Sequence, residues 1–370
     1  MRLCFIFNQA PSYVEAAYRL FDREFDVKWC LGDTGGGIRE MDHSLLKDVT
    51  TFPIRRGRGG AYTLEGIARV TKDRSIDAYI LLGEPKLTCM WRLPYLIRMR
   101  NPRAKIFFWT HGWYGKESRS RAFLKKLFFR PADGILLYGS HARDLMLNEG
   151  FRADKLHVIH NSLNYPVQSQ LRSGIVPSEI YSRHFGNADP VLVMIGRLTI
   201  RKNLDMLLKA VAKLKDGGGR YNIVLIGEGE DRAKLEALAK DLGIERQVWF
   251  YGACYDEKTN AELVYNADMC VVPGDIGLTA MHAMMFGCPC ITHDFFPNHG
   301  PEFESIHQDT TGAFYRHGDI DDLARTIETW FASHRGRREE IRQACYREID
   351  HNWTPEFELA VLRRAMCATK

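Results

Sequence analysis

The segment GRLTIRKN at residues 196–203 places two cations directly after the apolar run VLVMI. Arg197 presents a planar fork of N–H donors and Lys202 a compact point charge, so the pair is suited to clamp a diphosphate. Asn203 is expected to cap the following helix, whose N-terminus would add favourable dipoles. The alternative is that both charges simply lie on an exposed loop.

Two further segments have the same strand-to-helix character. In IGEGED, residues 226–231, Gly227 and Gly229 flank Glu228 after an apolar run, which predicts either a ligand contact or a tight turn into a helix. The segment GDIGLTAMHAM, residues 274–284, follows the run MCVVP. Its helix start would direct free backbone N–H groups toward an anion. The predicted anion contacts here are Gly277, Leu278 and Thr279. The alternative is an ordinary helix start that Asp275 caps.

The first half of the chain contains a candidate residue and a basic segment. His111 follows the run KIFFWT and precedes Gly112, so it is expected at the carboxyl end of a strand, where ligands bind in parallel sheets. The segment KESRSRAFLKKLFFRPAD, residues 116–133, combines basic and apolar positions at helical spacing. Such a helix either lies on anionic lipid or packs its apolar face on the sheet. The loop RRGRGG at 55–60 would meet a phosphate or only solvent.

The elements that must position these residues follow a repeated β-α pattern. Continuous apolar strands alternate with helical patterns, which is typical of parallel sheets covered on both faces. The rhythm stops at 164–189 and then restarts. We therefore predict a first α/β domain at 1–163, a linker with one short helix at 164–189, a second α/β domain at 190–350, and a C-terminal helix at 351–370 that packs back on the first domain. The natural site is a cleft between two doubly wound domains.

Charge is distributed unevenly along the chain. Residues 1–162 hold 27 Lys and Arg against 17 Asp and Glu, a net of +10, whereas the remainder has a net of −5. The first half is therefore expected to meet something anionic, such as a phosphate-bearing substrate or a membrane surface. It contains no recognised nucleic-acid motif, so we expect no nucleic-acid partner. Nine scattered cysteines, together with the absence of a signal peptide or a long apolar segment, favour a cytoplasmic protein.

Together these motifs resemble a known family. The ordered series GRLTIRKN, LIGEGED, VWFYG, YNADMCVVPGDIGLTAMHAMMFGCPCIT and PEFESIHQDTTGAFY is similar to the retaining glycosyltransferases of family 4, the glycosyl transferases group 1, and extends over about residues 190–335. WTHG, ILLYGSHARDLM and LHVIHNSLN fit the same pattern more weakly. The resemblance implies the GT-B fold, in which two Rossmann-like doubly wound parallel-sheet domains face each other across a cleft.

The resemblance also implies roles for individual residues. Arg197 and Lys202, beside Gly196, match the diphosphate clamp, and His111 matches a contact to the donor sugar. The remaining donor-site positions that match the family are Gly227, Glu228, Gly277, Leu278 and Thr279, the nucleobase wall Ala253 and Cys254, and the acid Glu304 with the additional Glu302 nearby.

The sequence departs from the family at its two characteristic glutamates. With Leu278 setting the register, these positions fall on Gly274 and His282. The pattern resembles the subgroup in which PG-x-x-GLT-x-x-H replaces the two-glutamate motif. We expect Asp275 to supply an acid near the sugar, and His282 to hydrogen-bond the ribose, since a neutral imidazole has one donor and one acceptor.

The predicted activity is transfer of a sugar, with retention, from a nucleotide diphosphate sugar to a hydroxyl of a lipid-linked glycan in cell-surface polysaccharide or O-antigen assembly. His111, Asp275, Arg197 and Lys202 are the predicted catalytic residues. No metal or other cofactor is expected, because cations and amides would stabilise the leaving group. Peripheral contact with the inner face of the cytoplasmic membrane is also expected. The alternatives are a nucleotide-sugar-binding protein with little or no turnover, which loss of the glutamates would favour, and a nucleotide-sugar epimerase of the same fold.

Overall fold

The computed structural model describes residues 1–33 and 39–368 and divides into two compact units. The first unit contains Met1–Tyr165 and the C-terminal segment from Trp353, and the second contains Pro166–Asn352. The chain thus leaves the first unit once and returns to it at its end. Residues 164–189, expected to be a linker with one short helix, instead contain two helices that lie almost entirely within the second unit.

The first unit is an eight-stranded sheet with helices on both faces. Its strand order is β4-β3-β2-β1-β5-β6-β7-β8, and all neighbouring strands are parallel except the β3–β4 hairpin. Successive side chains of β1 enter opposite cores, because a strand alternates its faces with a period of two. The elements are β1 Arg2–Phe7, α1 Glu15–Glu24, β2 Asp26–Asp33, β3 Asp48–Arg56, β4 Tyr62–Leu64, β5 Ala78–Leu82, α2 Leu93–Arg100, β6 Lys105–Thr110, α3 Arg119–Phe129, β7 Gly134–Leu137, α4 Ser140–Asn148 and β8 Leu156–Val158.

The second unit is a six-stranded parallel sheet in the order β11-β10-β9-β12-β13-β14. Its central strand β9 is buried along its whole length, as a strand covered on both faces must be. The elements are α5 Tyr165–Gly174, α6 Ile180–Phe185, β9 Val191–Ile195, α7 Leu204–Asp216, β10 Asn222–Ile226, α8 Arg232–Asp241, β11 Val248–Gly252, α9 Glu257–Asn266, β12 Met269–Val271, α10 Thr279–Met285, β13 Cys290–His293, β14 Gly312–Tyr315, α11 Ile320–Ser333 and α12 Arg338–Asn352.

The final helix, α13 Pro355–Ala368, belongs to the first unit. Leu362 and Ala365 are buried in the same core as β1 and α1. Arg363 forms an ion pair with Glu24 at the end of α1. None of the helices in the described part of the chain combines the length and apolar character needed to cross a bilayer.

The basic segment around α3 differs from a simple amphipathic helix. Phe128 and Phe129 pack into the core, whereas Phe123 and Leu124 are exposed to 61% and 52%. Lys125, predicted on the basic face, is largely buried and donates hydrogen bonds to the Gly112 carbonyl and to Glu117. The helix therefore packs on the unit with one set of apolar side chains and presents a second set to solvent.

Candidate functional site

The strand order of the second sheet reverses at β9, which has β10 on one side and β12 on the other. In open α/β sheets, ligands bind outside the carboxyl ends of the strands at such a point. The segment after β9 carries Arg197 and Lys202, and the segment after β12 carries GDIGLT. The topology therefore brings the two strongest predicted phosphate-contacting motifs to the same edge of the sheet.

Glycines allow the loops after β9 and β10 to touch at this edge. A Cβ on Gly227 would lie 1.8 Å from the Gly196 carbonyl oxygen, and one on Gly229 would lie 2.1 Å from the Leu198 carbonyl oxygen. The Leu198 N–H donates to the Glu228 carbonyl at 3.0 Å. These glycines are therefore required for backbone-to-backbone packing, which the sequence could not distinguish from a ligand contact.

The β12–α10 loop, residues 273–278, is tied to the loop after β9. The N–H groups of Gly274 and Asp275 donate to the carbonyls of Lys202 and Arg201, at 2.8 and 3.0 Å. A Cβ on Gly274 would lie 2.0 Å from the Arg201 carbonyl oxygen. Position 274, where the resemblance predicts the first of the two glutamates to be replaced, thus has no room for a side chain.

Lys202 supports this loop through its side chain. Its Nζ donates to the carbonyls of Asp275 and Ile276, at 2.6 and 3.1 Å. Burial lowers the pKa of the Lys202 amine, although Asp275 opposes this. Two of its three N–H donors are therefore engaged by the protein, so that the predicted clamp rests mainly on Arg197. Arg197 is exposed and forms no ion pair with any residue that the structure describes.

Both carboxylate oxygens of Asp275 already form hydrogen bonds within the protein, which makes them less available to a substrate. Its Oδ2 is 2.8 Å from Arg201 Nη2, and its Oδ1 accepts the Gly300 N–H at 3.0 Å. Both oxygens thus hold structure around the loop, which disfavours the predicted role as an acid beside the sugar. Asn203 also differs from expectation, since it lies at the start of α7 in a left-handed conformation, with φ of 49°, and its side chain forms no cap.

The start of α10 is fixed against the central strand. Thr279 is buried, and its hydroxyl donates to the Ile195 carbonyl at 2.9 Å. Leu278 is half-buried and immediately precedes the helix, and Gly277 has a φ of 50°, which favours glycine. The hydroxyl of Thr279 is consequently structural, and only the backbone of this segment is available for an anion.

His282 has a partner that the sequence did not reveal. Its Nε2 lies 2.9 Å from Glu257 Oε1, and Glu257 also accepts a hydrogen bond from Gln168 at 2.7 Å. Burial raises the pKa of Glu257, but the contact with His282, together with hydrogen bonds from Gln168 and Asn260, outweighs this and lowers the pKa below its usual value. Glu257 begins α9, close in sequence to the predicted nucleobase wall. A carboxylate is therefore present beside position 282, supplied by a different helix.

The remaining predicted residues of the second unit lie around this edge. Ala253 is exposed, and the Cys254 carbonyl accepts a hydrogen bond from Asn260 at 3.2 Å. Glu228 forms an ion pair with Arg232 on the exposed surface. Glu302 and Glu304 lie in the short helix Pro301–Ser305, where Glu302 is buried and Glu304 is half-buried.

His111 lies in the first unit, directly after β6, as its position in the sequence predicted. It is exposed, and its ring lies 4.8 Å from that of Tyr138 and 6.0 Å from that of Tyr114. Sequence reasoning missed two residues: Glu257 is half-buried and contacts the predicted residue His282, and His299 is buried and accepts the N–H of Ile276 in the β12–α10 loop. Neither has a local sequence signal, because each acts on a segment distant in the chain.

Comparison with known proteins identifies relatives of this chain. Residues 180–348 match the model of the family Glycosyl transferases group 1. The lipopolysaccharide core biosynthesis glycosyltransferase LpsE of Rhizobium meliloti is 26% identical over 284 residues, which cover 75% of this chain and 78% of LpsE. An uncharacterized glycosyltransferase of Methanocaldococcus jannaschii is 28% identical over 188 residues, covering 48% of this chain and 46% of that protein. The chain thus spans about half the length of this relative.

Solved structures share the fold over nearly the whole chain. The apo form of the lipopolysaccharide outer core galactosyltransferase WaaB aligns with a TM-score of 0.74 and 17% identity, covering 100% of both chains. HepE from Anabaena, in complex with UDP, aligns with a TM-score of 0.72 and 16% identity, covering 98% of this chain and 99% of HepE. Residues 180–348 thus match the glycosyl transferases group 1, and the whole chain shares the GT-B fold of these structures.

Proposed function

We propose that this protein transfers a sugar from a nucleoside diphosphate sugar to a hydroxyl of a glycan acceptor, with retention at the anomeric carbon. The observation that carries this proposal is the meeting of the β9 and β12 loops at the switch point of the second sheet. The relatives named for lipopolysaccharide biosynthesis, and the neighbour bound to UDP, support the same substrate class. A lipid-linked acceptor in cell-surface polysaccharide assembly fits this class.

The leaving diphosphate gains negative charge in the transition state, and fixed dipoles and cations contribute most where charge develops. Arg197 is exposed at this edge, and the backbone of Gly277 and Leu278 follows a loop held by Lys202. In this proposal Arg197 and the amides bind the diphosphate, while Lys202 holds the amides in place. His111 contacts the donor sugar, and the mechanism requires no metal or other cofactor.

The test measures nucleoside diphosphate released from a panel of nucleotide sugars, with and without glycan acceptors. We expect Arg197→Ala to lower kcat/KM at least about tenfold, equivalent to about 1.4 kcal/mol. The matched control is Arg220→Ala, an exposed arginine before the amino end of β10. Equal losses in both variants would refute the assignment of Arg197.

Two other outcomes would favour the alternatives. Tight nucleotide-sugar binding without turnover on any acceptor would favour a binding protein, and the engagement of both Asp275 oxygens by Arg201 and Gly300 is consistent with that alternative. Interconversion of the donor sugar without an acceptor would favour an epimerase. Either result would exclude the transferase proposal while leaving the donor site in place.

We further propose that the first unit contacts an anionic membrane through α2 and α3. Contacts link the two segments: the ring of Trp91, just before α2, lies 5.0 Å from that of Phe128 in α3, and Arg98 in the last turn of α2 donates to Asp133 after α3. Together they expose five large apolar side chains among basic residues, the composition that favours binding at a charged lipid surface. The apolar side chains are Tyr95, Met99, Phe123, Leu124 and Leu127, and the exposed basic residues of α3 include Arg119, Arg121 and Lys126.

Vesicle sedimentation tests this surface. Wild-type protein should bind vesicles that contain anionic lipid and not neutral vesicles, and Phe123→Ser with Leu124→Ser should weaken binding. Tyr255→Ser is the control, since Tyr255 is 85% exposed in the second unit. Undiminished binding of the double variant would refute the proposal. The basic residues of the first unit would then be expected to bind a different anionic partner.

A further inference from the structure

The β12–α10 loop has a partner for every backbone polar group between residues 273 and 276. Burying a polar group without a hydrogen-bond partner is costly, so a loop in which every backbone N–H and C=O group is hydrogen-bonded is held in one conformation. Most of these partners come from elements already described, but one is a histidine side chain. The Pro273 carbonyl accepts from the Tyr315 hydroxyl, and the Gly274 carbonyl accepts from the Thr292 hydroxyl. The Gly274 N–H donates to the Lys202 carbonyl and the Asp275 N–H to the Arg201 carbonyl, while the Lys202 amine donates to the carbonyls of Asp275 and Ile276. The Ile276 N–H donates to His299 Nδ1.

The two ring nitrogens of His299 have opposite roles. Nδ1 accepts the Ile276 N–H at 3.4 Å, and Nε2 lies 2.9 Å from the His293 carbonyl oxygen. Because a carbonyl can only accept, Nε2 must carry the proton and Nδ1 must be the unprotonated acceptor. His299 is almost fully buried, at 4% exposure. Only the neutral ring can make both contacts, since a protonated Nδ1 would confront the Ile276 N–H.

The surroundings of His299 favour this neutral form. Its ring stacks on that of His293 at 3.9 Å, and His293 meets His317 at 4.5 Å. Burial lowers the pKa of His299, Lys202 and the nearby His317 ring lower it further, and the His293 carbonyl and Asp275 oppose the shift. Burial, followed by the neighbouring histidines, likewise lowers the pKa of His293 to about 3. The stacked rings of His293 and His299 are therefore uncharged at neutral pH.

We propose that His299 is a positioning residue for the donor diphosphate: it holds the Ile276 N–H and thereby orients the segment that continues through Gly277 to Leu278. His299 acts through the loop and does not itself touch the substrate. The identity of the ligand rests on the proposed function, whereas the restraint on the loop rests only on contacts within the second unit. No motif predicts this role, because His299 follows Ile276 by 23 positions and lies beyond β13.

Three variants test the proposal. His299→Leu removes the Nδ1 acceptor while keeping an apolar side chain of similar volume. His299→Asn places its side-chain oxygen near the former position of Nδ1. His307→Asn is the matched control, since His307 pairs with Glu348 and has no contact with this loop among the described residues. We expect His299→Leu to raise the donor KM, or the Kd for UDP as probe, at least about tenfold with a smaller change in kcat. His299→Asn should remain within about threefold of wild type.

Amide hydrogen exchange at Ile276 gives a readout that needs no ligand. Exchange should accelerate strongly in His299→Leu and little in His299→Asn or His307→Asn. Nitrogen-15 spectra of wild-type histidines should report an unprotonated, hydrogen-bonded Nδ1 on His299 at pH 7, and donor affinity should fall as acid protonates that nitrogen.

A protonated Nδ1 on His299 in the folded wild type at pH 7 would overturn the proposal even if every variant unfolds. Equal Ile276 exchange and equal UDP affinity in the leucine variant and the wild type would overturn it as well. If the wild type binds no nucleoside diphosphate while Ile276 exchange responds as expected, the proposed function fails and the role of His299 in holding the loop stands.

Discussion

Restoring the family's first glutamate provides a direct test of how the β12–α10 loop is built. By alignment with the motif alone, Gly274→Glu would be expected to repair the site and raise activity. The structure predicts the opposite, because a Cβ at this position would lie 2.0 Å from the Arg201 carbonyl oxygen and 2.8 Å from the Lys202 carbonyl carbon. These are backbone atoms, which cannot move aside as a flexible side chain can.

The magnitude follows from the contacts that must separate. Moving the two loops apart would break the hydrogen bonds from Gly274 N and Asp275 N, each worth about 0.5–1.5 kcal/mol. Inserting an atom into a packed interior costs roughly 1–3 kcal/mol in addition. We therefore expect Gly274→Ala and Gly274→Glu to destabilise the second unit by about 2–6 kcal/mol, with a Tm decrease of roughly 4–24 °C.

The assay combines thermal unfolding with donor binding. Gly174→Ala is the matched control, since Gly174 lies at the end of α5 in the same unit and a Cβ there meets no atom within 4 Å. That variant should match the wild type or gain up to about 1 kcal/mol, because alanine restricts the unfolded chain. Donor affinity should fall in both Gly274 variants. A Gly274→Glu protein with wild-type Tm and increased turnover would refute the reasoning.

Two further predictions concern buried carboxyl groups. Burial raises the pKa of Glu358 to about 8, although the nearby Ser162 hydroxyl opposes this shift. Because the folded state holds the proton more tightly than the unfolded state, the stabilising contribution of protonated Glu358 is full below the usual glutamate pKa of about 4.3. This contribution is lost as the pH rises toward 8. Glu358→Gln should therefore raise the Tm relative to wild type at pH 8 more than at pH 5, and the exposed Glu356→Gln should not; identical shifts would contradict the assignment. For Glu257 and His282, a double-mutant cycle by urea unfolding at pH 7 should give a coupling of about 0.5–3 kcal/mol. Since the folded pKa of Glu257 is lowered, this contribution should persist above the usual glutamate pKa and disappear as pH falls through the lowered value, and additivity at pH 7 would refute the pairing.

The sequence predicted the architecture well because the signal is local. Continuous apolar runs such as VLVMI and NIVLI became buried parallel strands, and helix patterns after them became α7 and α8. The antiparallel β3–β4 hairpin escaped prediction, since the basic turn RRGRGG reads as a flexible loop. Only one short helix was predicted within residues 164–189, where the structure has both α5 and α6, because the Pro, Ser and Gly residues of this segment mask short helical patterns.

The candidate site was predictable only in part, for a different physical reason. Arg197 and the GLT segment could be placed because strand ends in a parallel sheet converge on one edge. Whether a charge is free or engaged depends on groups far away in the chain, such as Gly300 for Asp275 and Glu257 for His282. Sequence periodicity contains no information about such pairs.

The two positions at which the resemblance predicts glutamates, 274 and 282, differ in their surroundings, so the predicted replacements would have different consequences. Position 274 is filled by backbone, so a carboxylate there is excluded by packing. Position 282 has room for a ring, and the carboxylate it lacks is supplied by Glu257, 2.9 Å from His282 Nε2. Replacing His282 with glutamate would put two carboxylates at one partly buried position, where like charges raise the pKa of one of them and weaken the arrangement. His282 and Glu257 therefore act as a pair. We expect His282→Glu to impair donor binding unless Glu257 is changed as well.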